Sequence, residues 1–334
     1  LCTTTHRLDI YNEKLAKTQF LEQFENLFKD TNYSKSELLD LPTAYDYIRL
    51  GHPLSCVLEW GIARQHKLNP DNVICFSSQT MPVLAILRRN LLINKNTQIN
   101  YIGELPTCFD TQIIQRFYGY NFELNKIQNV TELTTFNGSS IFISNRNEIE
   151  NFDTSSNADF LINLNPKRGS VLVINDKNNE EYIPDIQHVR RRETIAMTPV
   201  NCLIALKSFC GESVNQEEKY NTKENKISVL NSINKITGTT TKALVSSSGL
   251  SIQYAILMGL VHHAKQNHPE KAINIIVPPN CYGGTNDQAR RVADCIENVE
   301  VLDLPVDGGN DMVESIETVL SKIAIEDAVP LIIA

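Results

Sequence analysis

Short apolar runs, rich in Val and Ile, alternate along this chain with longer segments of helical periodicity, and nothing else in it constrains the fold so strongly. The runs predict strands at residues 73–76, 98–102, 140–144, 160–164, 171–175, 243–246, 273–277, 299–302 and 330–333. Between them, apolar positions at helical spacing predict helices at 15–28, 55–66, 82–92, 112–117, 199–209, 252–266, 286–297 and 311–323. Parallel neighbours need a long return connection, so this alternation implies a mostly parallel sheet with crossover helices. The expected class is α/β, as a three-layer αβα arrangement.

With 334 residues, 42% of them hydrophobic and 21% charged, the chain has an ordinary globular composition and can bury a sizeable core. A formal net charge of −8 argues against nucleic acid and anionic membranes as main partners, since both attract basic surfaces. The densest basic run, Arg190-Arg191-Arg192, is followed at once by Glu193 and reads as a solvated helix face. The eight cysteines (Cys2, Cys56, Cys75, Cys108, Cys202, Cys210, Cys281 and Cys295) form no CxxC pair, and a reducing cytoplasm is the expected compartment. No apolar stretch reaches the roughly 20 residues that span a bilayer. The chain opens without Met and stops on an apolar strand at Ala334, so a fragment of a longer protein is expected.

The polar stretch 211–226 reads as a linker, and the chain repeats a theme on either side of it. Before it stands Val73-Ile-Cys-Phe-Ser-Ser-Gln-Thr80, and after it Ala243-Leu-Val-Ser-Ser-Ser-Gly249. Each reads as a strand, a serine-rich turn and then an apolar helix, which suggests internal duplication or two unrelated βα units of similar composition.

Ser246-Ser247-Ser248-Gly249-Leu250 is the clearest local site. A helix opening there would aim free backbone N–H groups and its positive dipole end at one spot, which suits a phosphate. The same serines would serve equally as a plain helix cap. The next predicted strand, 273–277, leads into Pro278-Pro279-Asn280-Cys281-Tyr282-Gly283-Gly284-Thr285, with Thr285 and Gln288 at capping-box spacing. Ligands of open parallel sheets bind beyond the carboxyl ends of the strands, so Tyr282 should share an edge with Ser248 and Gly249. An aromatic beside an anion-binding helix start suits a planar phosphorylated ligand; a surface tyrosine in a glycine-rich turn is the plainer reading. The adjacent His262 and His263, followed by His268, do not make a metal site, because neighbouring residues on a helix face different ways.

The Ser-Ser-Gly turn followed by Tyr-Gly-Gly-Thr resembles the cofactor-binding core of the cystathionine γ-synthase-like family, pyridoxal 5′-phosphate (PLP) enzymes of Cys/Met metabolism with the aspartate-aminotransferase fold. The resemblance implies that Ser248, Gly249 and Leu250 hold the cofactor phosphate and that Tyr282 stacks on the pyridine ring. Leu250 and Ser251 stand where the family usually has Met and Ala. Upstream, Tyr47-Ile-Arg-Leu-Gly-His-Pro53 with Leu58-Glu59 resembles the family's Tyr-x-Arg-x-x-Asn-Pro-Thr and Leu-Glu. It implies that Tyr47 and Arg49 contact the cofactor phosphate of a neighbouring subunit, with His52 and Leu54 as departures. Taken without the resemblance, both residues could be structural. Asn157-Ala-Asp-Phe-Leu-Ile-Asn-Leu-Asn-Pro-Lys167 has the spacing of the family's segment ending in the Schiff-base lysine, which implies that role for Lys167; the family's Ser and Thr are missing. Asp176 could stand in for the family's cofactor aspartate or simply form a turn.

Two family-like units in tandem account for these matches most economically. Residues 1–215 form a shortened or degenerate copy, and residues 216–334 begin a better-kept one that continues past Ala334. The expected activity is a PLP-dependent lyase or transferase acting on cystathionine, homocysteine or O-substituted homoserine-like substrates. Its partners would be a small amino-acid substrate and further copies in a homodimer or homotetramer, with no nucleic acid, membrane or metal. A non-catalytic pseudoenzyme or partner unit that keeps the fold is the alternative.

Overall fold

The computed structural model describes residues 13–31, 34–42, 44–45, 47–175, 177–212, 222–306 and 311–333. Cys2, Asp176, Ala334 and the proposed unit boundary at 215/216 lie outside these residues.

The N-terminal part opens with helices α1 (Glu13–Lys29), α2 (Lys35–Leu39) and α3 (Pro53–His66). Pro53 at the first position fits the start of α3, where a missing N–H costs nothing. His52 caps it: the Ser55 N–H donates to His52 Nδ1 at 3.2 Å, while Nε2 lies 2.8 Å from the Met197 carbonyl oxygen. The chain then runs through β1 (Val73–Phe76), α4 (Met81–Leu92), β2 (Thr97–Ile102), α5 (Thr111–Phe117) and β3 (Glu123–Lys126). It continues with β4 (Ser139–Asn145), β5 (Phe160–Asn165), β6 (Gly169–Ile174), α6 (Ile183–Arg192) and α7 (Pro199–Phe209).

These strands make a six-stranded sheet in the order β1-β6-β5-β4-β2-β3. β6 pairs antiparallel with both neighbours, while the remaining pairs are parallel, so the sheet is mostly parallel with one reversed strand. One reversed strand is compatible with the expected mostly parallel sheet, and it has a local cause. Only the turn at 166–168 separates β5 from β6, too short for a crossover. Gly169 leaves that turn at φ +118°, and a Cβ there would run into the Phe76 carbonyl oxygen, so only glycine fits.

Side chains alternate across the sheet and fill two cores. Ile74, Phe76, Ile162 and Leu172 pack under α4, α5 and α6 through Val83, Ile114, Ile186 and Val189. Val73, Cys75, Leu161 and Val173 pack under α3 and α7 through Leu58, Ile62, Cys202 and Ala205. Helices on both faces give the expected three layers. Each fully buried aliphatic side chain contributes about 1.5–3 kcal/mol.

The C-terminal part comprises α8 (Thr222–Thr237), α9 (Gly249–Asn267), β7 (Ile273–Val277), α10 (Gly283–Cys295), β8 (Val299–Asp303), α11 (Met312–Ile325) and β9 (Val329–Ile332). Its strands form a parallel three-stranded sheet in the order β8-β7-β9. Ile273, Ile275 and Val277 pack against α9 and α10, and Ile276 packs with Leu304 and Ile323 of α11 on the opposite face.

Several expectations need correction. Residues 243–246 are irregular rather than a strand, and residues 222–226 of the proposed linker already belong to α8. The arginines do lie on a helix, α6, but not on a solvated face: Arg190 is fully buried and Arg191 is 6% exposed. The reason is helical spacing. Ile183, Ile186 and Arg190 fall on one face, and that face lies against the sheet.

Arg190 is buried because it is paired. Its guanidinium lies 2.6 Å from Glu59 Oε1 and donates to the Cys75 carbonyl, the Tyr45 hydroxyl and Gln187 Oε1. Lys17 Nζ reaches Glu59 Oε2 at 2.8 Å, and the Cys75 N–H donates to Oε1 at 2.9 Å. Burial pushes the Glu59 carboxyl up, but Arg190 and Lys17 outweigh it and hold the pKa at about 2. Glu59 thus ties α1, α3, β1 and α6 together.

Candidate functional site

The N-termini of α9 and α10 meet the carboxyl-terminal arginines of α6. Ser248 is the N-cap of α9, with extended backbone, and the Ser251 N–H donates to its Oγ at 3.1 Å. α9 precedes β7 and packs on it, while α10 leaves β7 at its carboxyl end, which brings both helix starts to one edge. Gln288 Nε2 of α10 donates to the Leu250 carbonyl at 3.0 Å, and Thr285 Oγ1 donates to Gln253 Oε1 at 3.0 Å. Thr285 and Gln288 therefore tie α10 to α9 and do not form the expected capping box; Tyr282 occupies the N-cap position.

Tyr282 is 56% exposed, with its ring turned to the edge. Its hydroxyl lies 3.4 Å from that of Tyr47 and 3.4 Å from an Arg49 terminal nitrogen. Arg49 also donates to the Tyr47 hydroxyl, and the Arg191 guanidinium lies 5.5 Å from the Tyr47 ring centroid. The Tyr47 hydroxyl holds the Tyr282 phenol below its ordinary pKa, with burial opposing and the charges of Arg49 and Arg192 assisting.

Gly284 sits at the crowded centre of this edge. A Cβ there would lie 2.7 Å from Tyr282 Cε1, 2.8 Å from an Arg192 terminal nitrogen and 2.8 Å from Leu250 Cδ1. Gly249 and Gly283 face open space. Arg192 is also tied to α10: its carbonyl accepts from Gln288 Nε2 at 3.4 Å, and its Nε lies 3.8 Å from Asp287 Oδ2. His188 Nε2 approaches the same Asp287 oxygen at 2.8 Å. Burial raises the Asp287 carboxyl, but the His188 hydrogen bond and the Arg291 and Arg192 charges hold it below the usual range.

The start of α9, capped by Ser248, and the start of α10, which has no side-chain cap, combine with three guanidinium groups and an exposed phenol ring in an electropositive edge with an aromatic platform. Such an arrangement can hold a phosphate and stack a planar ring, so the residues present fit a phosphorylated aromatic cofactor. Of the residues singled out in the sequence, Tyr47, Arg49 and Tyr282 are joined by contacts, Leu250 flanks Gly284 beside Tyr282, and Ser248 and Gly249 lie at the start of the helix that carries Leu250. Lys167 is placed elsewhere. It is exposed in the β5–β6 turn, and its N–H donates to Asn165 Oδ1 at 3.1 Å. The hydrogen bonds of the turn's neighbours run to Ser78, Gln79 and Asn201.

Arg191 and Arg192 were not recognised as site residues. Their signal was available: Ile183, Ile186 and Val189 at three-residue spacing mark a helix ending on the arginines.

No protein-family model matches the chain, and no curated protein matches it. Among solved structures, metB from Corynebacterium glutamicum aligns at 16% identity and a TM-score of 0.31, covering 51% of this chain and 55% of that one. Cystathionine gamma-lyase from yeast aligns at 15% identity and a TM-score of 0.35, covering 61% of each chain. The chain thus spans less than two thirds of the length of either structure to which it is similar.

Proposed function

We propose that the protein binds PLP at the edge formed by α9 and α10 and acts on sulfur-containing or γ-substituted amino acids. The observation that carries this reading is the meeting of Tyr47 and Arg49 with Tyr282, residues that share a cofactor in the family their motifs resemble. The N–H groups of Gly249 and Leu250 and the Arg49 guanidinium would hold the phosphate, and the Tyr282 ring would lie on the pyridine. PLP, when bound, supplies an electron sink for bonds around the substrate α-carbon. The chain's own share is binding and orientation. The Tyr282 hydroxyl, held below the ordinary tyrosine range by Tyr47, would present a proton-bearing group at the ligand, and Arg192, steadied by Asp287, adds positive charge beside it.

A second reading, a non-catalytic unit that keeps the cofactor edge, is favoured by the position of Lys167. The 77–80 turn and the β5–β6 turn touch directly, with Ser170 Oγ donating to the Ser78 carbonyl at 2.5 Å. That contact ties the two turns to each other, and it supports regarding residues 1–215 as degenerate.

Titration with PLP, followed by absorbance and by quenching of protein fluorescence, tests the reading. Saturable binding that is weakened at least tenfold by Gly249→Val is the expected result. A yellow product with the absorbance of a lysine adduct would favour the catalytic reading, and colourless but saturable binding the second. PLP affinity unchanged by Gly249→Val would overturn the site.

A further inference from the structure

The loop bearing Tyr47 and Arg49 reaches the site from the far end of the sequence, and the contact is made within one chain. We propose that the ligand edge of the C-terminal part is completed in cis by the N-terminal part, which acts as its built-in partner, so that no second copy is needed there. What the edge holds rests on the cofactor reading above; how the edge is built does not.

The two parts meet along a continuous polar contact, not at a single point. Arg88 of α4 pairs with Glu193 through both carboxylate oxygens and donates to the Tyr254 hydroxyl of α9 at 3.0 Å. Both charges are buried, at 5% and 4% exposure. Arg291 of α10 approaches the same Glu193 at 4.0 Å, and the Arg88 Nε donates to the Tyr120 hydroxyl at 3.3 Å. Further along, His188 meets Asp287, Gln288 meets the Arg192 carbonyl, and Tyr47 and Arg49 meet Tyr282.

The Arg88–Glu193 pair belongs to the N-terminal part, and Tyr254 and Arg291 of the C-terminal part complete its surroundings. Separating the parts would change the environment of two buried charges, which marks a lasting interface. Separating the two parts would leave Arg88 and Glu193 without Tyr254 and Arg291, and would remove the contacts of α10 with His188 and Arg192. A second copy could supply Tyr47 and Arg49 only by displacing the pair already seated. Tethering also favours the internal pair, since linked partners face each other at millimolar effective concentration.

The test uses the full chain without cofactor. Photo-oxidative dityrosine cross-linking, with peptide mapping by mass spectrometry, should join the peptides of Tyr47 and Tyr282. The product should run as a single chain, with a yield unchanged over about a hundredfold range of protein concentration. A Tyr47–Tyr282 link between chains, or no such link in the folded protein, overturns the proposal. A second arm mixes Arg49→Ala chains with Gly249→Val chains and measures PLP binding. No recovery is expected, whereas assembly in trans would restore about a quarter of the sites by random pairing. If the wild-type chain binds no PLP but still cross-links internally, the cofactor reading fails and the cis architecture stands.

Discussion

The hydroxyls of Tyr47 and Tyr282 lie 3.4 Å apart although 235 positions separate them in the chain. The pair is asymmetric. Burial and the hydrogen bond to Tyr282 raise the Tyr47 phenol, while the same bond lowers Tyr282 with help from Arg49 and Arg192. Tyr47→Phe removes that donor and should return Tyr282 toward the ordinary tyrosine range. Ultraviolet difference titration reads this directly, with Tyr282→Phe identifying the signal. A titration unchanged by Tyr47→Phe would mean that the two rings are uncoupled.

Arg49→Ala should weaken PLP binding by roughly tenfold to a hundredfold, the loss of one charge-assisted hydrogen bond to phosphate. Inorganic phosphate should compete with PLP in the wild type and compete poorly in the variant. Tyr282→Ala removes the stacking platform without touching phosphate contacts, so it should weaken PLP while leaving phosphate affinity nearly intact. Equal losses for both ligands in Tyr282→Ala would argue against stacking.

Glu59 joins four elements through Lys17 and Arg190, and its charge is needed for folding. Its carboxyl stands at about 2 in the folded chain against an ordinary 4.5. A lowered carboxylate pKa contributes stability that is complete above the unfolded value and is lost as pH falls through the folded one. Stability should therefore drop between pH 4.5 and about 2, by about 3 kcal/mol from this group. Glu59→Gln leaves two buried cations uncompensated and should cost about 3–5 kcal/mol at neutral pH. Denaturant unfolding across pH would show a shallower acid limb in that variant.

How much of this was legible in the sequence differs by element. β1, β7 and α7 coincide with their expected bounds because continuous apolar runs with clear stops define them. β3, with Glu123, Asn125 and Lys126 on an edge, carries too little apolar pattern to signal a strand. Residues 243–246 have strand-like composition, yet Leu244 is 69% exposed and no neighbouring strand pairs with them among the described residues. The motifs pointed to Tyr47, Arg49 and Tyr282, but no local pattern could reveal that one chain brings them together. The burial of Arg190 was hidden for a related reason: a charge run looks solvated until its distant counter-ion, Glu59, is in place.

Lys167 is the remaining question for the N-terminal unit, and its surroundings give a definite expectation. It lies just past the carboxyl end of β5, the edge where an open α/β sheet binds ligands, and its exposed amine can be reached by an aldehyde. The cradle around it is spent on structure. Pro166 offers no N–H, and Asn165 Nδ2 donates to the carbonyls of Arg146 and Asn147 at 3.4 and 3.2 Å. Asn163 Nδ2 donates to the Asn151 carbonyl at 2.6 Å, while its Oδ1 accepts from Ser144 Oγ. Those asparagines hold the 146–151 loop and are not free to receive a phosphate. Borohydride reduction in the presence of PLP, followed by peptide mapping, should therefore label Lys167 no more than other exposed lysines such as Lys235 and Lys322. Label concentrated on Lys167, and lost on Lys167→Arg, would make the N-terminal unit the active one and end its description as a degenerate copy.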